Sequence, residues 1–158
     1  MEQEMGAKKD GGNIKVTNRE ALELMGNVIW TNRNLPVKTR YWLSRIADKL
    51  KSIANAAAKE RTQIINDFCV KDEKGNPKKS ADNKLVFDPP EKEAEANAAI
   101  KELYDIANEL PWPRQIIDIG NLSDAFELSA ADMVGAELVV EFVFNEPAPA
   151  AATPPPQT

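Results

Sequence analysis

The sequence predicts a mainly α protein with a small β element, an α+β fold built on a long antiparallel helical hairpin. Three observations carry this reading. From Val37 to Phe68, apolar residues recur at steps of three, four or seven, the signature of one face of a single long helix. A second stretch with helical periodicity follows Pro89-Pro90 and runs from Glu91 to about Glu109. Two short runs, Lys84-Leu-Val-Phe-Asp88 and Arg114-Gln-Ile-Ile-Asp-Ile119, have the extended character expected of a small β element.

Taken in order, residues 1–12 read as a disordered arm ending in Asp10-Gly11-Gly12, and Asn13-Ile-Lys-Val-Thr17 alternates as a short strand does. Thr17 followed three residues later by Glu20 matches a capping box. The helix it opens is expected to carry Leu22, Met25 and Val28/Ile29 on one side and to stop near Asn32–Asn34. Pro36 then suits the first turn of the long helix, where a missing N–H does no harm. The stripe of that helix is Trp42, Ile46, Leu50, Ile53, Ala57, Ile64 and Phe68, widened by Leu43, Ala47, Ala54 and Ile65. A helix of this length spans about 48 Å and needs a partner along it, either the third helix or a second copy of the chain.

Asp72-Glu-Lys-Gly-Asn-Pro77 reads as a turn. In the third helix, Ala96, Ile100, Leu103, Ile106/Ala107 and Leu110 share a face, glutamates crowd the first turn as the helix dipole favours, and Pro111-Trp-Pro113 ends the run. Ser129-Ala-Ala-Asp132 is a second capping box. The β-branched and aromatic residues of Leu138–Phe144 pull the other way, so the reading is a helix start with an extended finish. From Pro147 the chain is rich in proline and alanine and carries no charge, the composition of a flexible appendage. The folded unit is therefore expected to be one domain over residues 13–146, with 147–158 as a disordered tail.

Composition narrows the chemistry. The 158 residues include no histidine and one cysteine, which removes His-based triads, His-ligated zinc and the usual structural zinc sites. Glycine-rich phosphate loops are absent, since Gly75-Asn-Pro-Lys-Lys-Ser80 lacks the second glycine and the following helix. Glu91, Glu93 and Glu95 do not converge on one helix face, so a solvated first turn is the expectation rather than a metal site. Cys69 has no candidate base and reads as a buried thiol at a helix end. No cofactor is expected. No apolar run is long enough to cross a bilayer, the polar start has no signal-peptide character, and the single cysteine fits a reducing cytoplasm.

Charge is uneven. Residues 33–71 carry a net +6 and residues 88–146 a net −11, which predicts pairing of a basic helix with an acidic one, or capture of something anionic by the basic part. The overall charge of −5 argues against strong non-specific nucleic-acid binding. Arg61 lies within the apolar stripe of the long helix, where burial without a partner would cost several kcal/mol. It is expected to pair with Asp105 or Glu109 of the third helix, to snorkel, or to meet an anionic ligand. At the start of the same helix Arg33, Lys38, Arg40, Tyr41, Trp42 and Arg45 interleave basic and aromatic residues, a composition suited to anion, base or protein recognition as well as to packing. Trp112, held between two prolines with Arg114 after it, reads as a lid on the core or an interface anchor.

Leu35-Pro-Val-Lys-Thr-Arg-Tyr-Trp-Leu-Ser44, the Arg61 region and Lys71-Asp-Glu-Lys-Gly-Asn-Pro77 together resemble a family of small proteins of tailed phages and prophages, over about residues 14–135. The chain departs from that pattern at Leu110-Pro-Trp-Pro113 and in both tails. The resemblance implies a viral accessory protein made in the host bacterial cytoplasm and brings no site residues with it. The expectation is a non-enzymatic, self-associating interaction protein that serves virion assembly or blocks a host protein through Arg40, Tyr41, Trp42, Arg45 and Trp112. The alternative is an oligomeric anti-defence sponge that sequesters a host nucleotide signal, with Arg61 and Arg40 on phosphate and Tyr41 or Trp42 stacked on a base.

Overall fold

The computed structural model describes residues 12–145. The expected arm at the N-terminus and the Pro/Ala-rich tail fall on residues outside that range. Half of the described chain is helical, in an α+β arrangement. The elements in order are β1 (Asn13–Thr17), α1 (Asn18–Leu24), α2 (Val37–Phe68), α3 (Glu91–Tyr104), β2 (Ala107–Pro113), β3 (Gln115–Asp118), α4 (Ala130–Ala136) and β4 (Val140–Val143), with 3₁₀ turns at Val28–Thr31 and Ile119–Asn121.

The long helix runs over the residues that its periodicity predicts. Its stripe is buried at Leu43, Ile46, Leu50, Ala54 and Ala57. Leu43, Ile46 and Leu50 belong to one core with Ile14 and Val16 of β1, Ala21 and Leu24 of α1, Leu110 of β2, Ile117 of β3, Ala136 of α4 and Val139–Val140. At 0–1% exposure each of these three side chains contributes about 1.5–3 kcal/mol of apolar burial. The first half of α2 is thus embedded in the core, and α3 covers it further along. Lys92, at the start of α3, lies over the Phe68 ring at the end of α2, so the two helices run antiparallel.

Four local readings change in the structure. The first helix ends at Leu24, not near Asn32: Gly26-Asn27 breaks it, and the Asn27 carboxamide accepts from the Ile29 N–H to open a separate 3₁₀ turn. The third helix ends at Tyr104, because residues 107–113 find a stronger use as β2, pairing antiparallel with β1 from Thr17↔Ala107 to Asn13↔Pro113. Two prolines are tolerated there because β2 has a partner on one side only. The β element is accordingly placed differently. Lys84–Asp88 forms no strand and contributes a single bridge, Lys79↔Leu85, while β3 pairs in parallel with β4. Finally, no ion pair joins α2 to α3 among the described residues; the pairs are Lys92–Glu95, Lys101–Asp105 and Arg114–Glu141. The helices meet through small apolar side chains such as Ala57 and Ala96, and charge attraction is not what docks them.

Other readings hold. The Thr17–Glu20 capping box forms in both directions, and Ser129 caps α4 by accepting from the Asp132 N–H. The helix start and extended finish at residues 130–143 are both present. The 72–77 turn is closed by Asp72, whose carboxylate accepts from the Lys74 and Asn76 N–H groups, with Gly75 at positive φ. Cys69 is buried at the end of α2. No described helix is long and apolar enough to cross a membrane.

β3 and β4 are clamped at their far ends. Asp118 accepts from the Asn145 N–H and carboxamide and from the Asn121 carboxamide. Gly120 lies so close to the Asn145 backbone that a Cβ there would overlap it, which only glycine avoids. Desolvation pushes the Asp118 carboxyl up, but the hydrogen bonds from Asn121, Asn145 and Gly120 outweigh it, and it titrates below the ordinary carboxylate value.

Two outcomes follow from this core and this clamp. Leu50→Ala is expected to cost about 2–5 kcal/mol in urea unfolding, whereas Arg61→Ala, at an exposed position, should stay within about 0.5 kcal/mol. A lowered folded-state pKa makes Asp118 stabilising above its unfolded value, a contribution lost as pH falls through the folded one. Asp118→Asn should therefore reduce stability at neutral pH and flatten the loss of stability below about pH 4, read from thermal midpoints across pH.

Candidate functional site

The site is assembled from two elements far apart in sequence. Pro36 precedes α2, and its carbonyl accepts the Arg40 N–H, so the first turns of the helix are regular from Val37 onward. Because side chains four apart share a helix face, Val37, Tyr41 and Arg45 form one row. Val37 is 72% and Tyr41 55% exposed, and Arg45 is exposed as well. Trp42, one position round, is half-buried.

The second element is β2. Alternation along a strand puts residues two apart on the same face. Leu110, fully buried, anchors that face to the core, and Trp112 projects beside it at the core's edge. Pro111 and Pro113 fix the backbone on either side of the tryptophan.

The two elements meet at Arg45. Its guanidinium carbon lies 6.0 Å from the Tyr41 ring centroid, 5.6 Å from that of Trp42 and 5.5 Å from that of Trp112. One of its N–H groups donates to the Tyr41 hydroxyl at 3.3 Å. The Tyr41 and Trp42 rings stand edge to face, with centroids 5.4 Å apart and planes at 75°. Each such contact is worth only about 0.5–1 kcal/mol at an exposed position. Together they hold a planar cation and three aromatic faces in a fixed arrangement at the surface. Arg45 makes no ion pair among the described residues. The arrangement offers ring faces to apolar or proline-rich chain and N–H groups to carbonyls or carboxylates. It presents no nucleophile beside a base.

Of the residues singled out in the sequence, Tyr41, Trp42, Arg45 and Trp112 come together. Arg40 sits alongside on α2, half-buried, with its Nε enclosed and without a hydrogen-bond partner. Arg61 does not join them: it is 21 positions further along the same helix, about 31 Å away. The expected ion pair of Arg61 with Asp105 or Glu109 is not found among the described residues. Its side chain is exposed, Asp105 pairs with Lys101, and Glu109 lies on β2. An exposed guanidinium is hydrated and needs no partner, so the charge in the stripe costs nothing there. Arg114 is tied down by the Glu137 carbonyl and Glu141 and does not reach the cluster's cation.

Val37 escaped the sequence reading, although its spacing of four from Tyr41 marks it as part of the same row. A separate shallow depression on the surface is lined by Ala98, Lys101, Glu102, Asp105 and Ile106 and gathers no comparable set of groups. Comparison of the chain with protein-family models, curated proteins and solved structures returns no match.

Proposed function

We propose that this protein is a non-enzymatic interaction protein whose contact face is the Arg45 cluster: Tyr41, Trp42, Arg45 and Trp112, extended by Val37. The observation that carries the reading is the convergence of three aromatic rings on one exposed arginine. Trp, Tyr and Arg are the residues in which binding energy concentrates at protein interfaces. A core would bury these rings, and a merely solvated helix face would not collect them from two elements. Phage origin, work in the host bacterial cytoplasm and a role in virion assembly or host-protein blockade rest on the short motifs of residues 35–44 and 71–77. Self-association belongs to the same proposal.

Exposed members of the cluster can be changed without touching the core. Tyr41→Ala combined with Arg45→Glu is expected to leave helicity and thermal midpoint close to those of the parent, while stoichiometric capture of a partner from host cells falls at least tenfold. Equal capture by parent and variant would remove the cluster as the contact face.

The enclosed, unpartnered Arg40 Nε favours a second reading, sequestration of a nucleotide by an oligomer. Arg40 and Arg61 are too far apart on one helix to hold a single phosphate, so such a site would draw on two chains. A nucleotide present at 100 times its dissociation constant would stabilise the fold by about 2.7 kcal/mol, readily seen as a thermal shift. A flat response across cyclic and linear nucleotides would discard this reading.

A further inference from the structure

We infer that the chain forms a two-fold dimer through adjoining patches of opposite charge, the basic approach to α2 at Arg33 and Lys38 of one copy meeting the acidic stretch at Asp124 and Glu127 of the other. The inference rests on the self-association proposed above, not on the external partner, and gives it a surface and a symmetry.

Charges that are separated in the sequence stay unpaired in the fold. Residues 33–49 hold five cations and one carboxylate, and residues 115–145 hold six carboxylates with no lysine or arginine. Among the described residues one ion pair touches either stretch, Arg114–Glu141, and its cation comes from outside both. Arg33, Lys38, Asp124 and Glu127 are exposed. None of these four side chains makes a hydrogen bond or an ion pair with a described residue.

Two carboxamides bring the patches side by side. The Asn32 amide donates to the Glu127 carbonyl at 3.1 Å, and the Asn34 amide to the Ala125 carbonyl at 2.7 Å. The acidic segment is thus laid along the segment that leads into α2 and is held there by its backbone, while its carboxylates stay in water. Apolar surface accompanies the charge. Val37, next to Lys38, is exposed, and so are Val28 on the 3₁₀ turn and Val134 on α4, the two elements that the Asn27 amide joins.

A surface with a positive and a negative patch side by side is its own complement. Turned about a two-fold axis between the patches, the basic patch of each copy meets the acidic patch of the other, and every contact is made twice. Each charge gains a counter-ion that it lacks in the single chain, and apolar side chains leave water with it. The charges also fix the register, because a shifted arrangement sets like against like. A second copy carries both patches in the required order, whereas the whole-chain charge of −5 disfavours an occupant rich in phosphate.

Charge reversal on the full-length chain tests this, read by sedimentation velocity with circular dichroism as the control for folding. One variant carries Arg33→Glu and Lys38→Glu, a second carries Asp124→Lys and Glu127→Lys, and a third carries all four changes. The parent is expected to sediment as a dimer whose dissociation constant rises with salt. Each two-site variant should associate with itself at least about tenfold more weakly. An equimolar mixture of the two, and the four-site variant alone, should recover the dimer, since both restore opposite charges across the axis. A misfolded variant cannot produce that recovery. A dimer indifferent to all three variants would overturn the inference and leave self-association standing, and so would loss without recovery. Assemblies larger than a dimer would overturn it in favour of a head-to-tail contact. A monomeric parent would overturn self-association as well and pass the surface to an external partner. None of the four positions belongs to the Arg45 cluster, so capture of a host partner fails or succeeds separately.

Discussion

Everything in this fold answers to the need to cover one side of a 32-residue helix. The apolar stripe of α2 cannot be left in water, and no single neighbour covers it all. The chain divides the task. Around Leu43, Ile46 and Leu50 the cover is a mixed layer of α1, two strand pairs and α4, which together make the core. Beyond Leu50 it is α3, docking through alanines such as Ala96. The first contact is broad and rich in branched side chains; the second is narrow and made of small ones. The density of buried side chains therefore falls from the N-terminal half of α2 toward its end, and the stability of the molecule resides mainly in the first half.

Side-chain carboxamides join what the core alone would leave loose. The Asn18 amide donates to the Leu103 carbonyl at 2.8 Å, and the Asn108 amide donates to the Asn18 side-chain oxygen at 2.9 Å, tying the end of α3 to the start of α1. The Asn27 amide donates to the Asp132 carbonyl at 2.8 Å and holds α4 against the 3₁₀ turn. Asn32 and Asn34 donate to the Glu127 and Ala125 carbonyls across the irregular stretch before α4. Asn18 and Asn27 are buried, where an unpaired amide would be costly; each finds both a donor and an acceptor partner or spans two segments. These contacts also position β2, and through it Trp112, relative to α2.

That positioning explains how much of the site could be read beforehand. Tyr41, Trp42 and Arg45 sit within one and a half turns of a strongly periodic helix, so their shared surface followed from spacing alone. Trp112 stood out by its two prolines, but nothing local connected it to residue 45. The connection passes through the β1–β2 pairing and the burial of Leu110, both long-range. Arg61 misled for a related reason. Helical periodicity states which side of α2 it lies on but not whether a neighbour covers that point, and α3 leaves it to solvent.

Sequence alone determined the elements whose causes are local: the extent of α2, the capping box at Thr17, the N-cap at Ser129, the Asp72–Pro77 turn and the extended character of residues 13–17 and 115–118. In each the deciding contacts lie within a few residues of one another. The tertiary structure decided where periodicity was outbid. Residues 107–110 continue the helical pattern of α3, yet they become strand, because pairing with β1 satisfies their backbone groups and buries Leu110 completely. Which strands pair, which acidic residues meet which basic ones, and which aromatics gather around Arg45 all depend on segments up to a hundred residues apart, and propensity carries no information at that range.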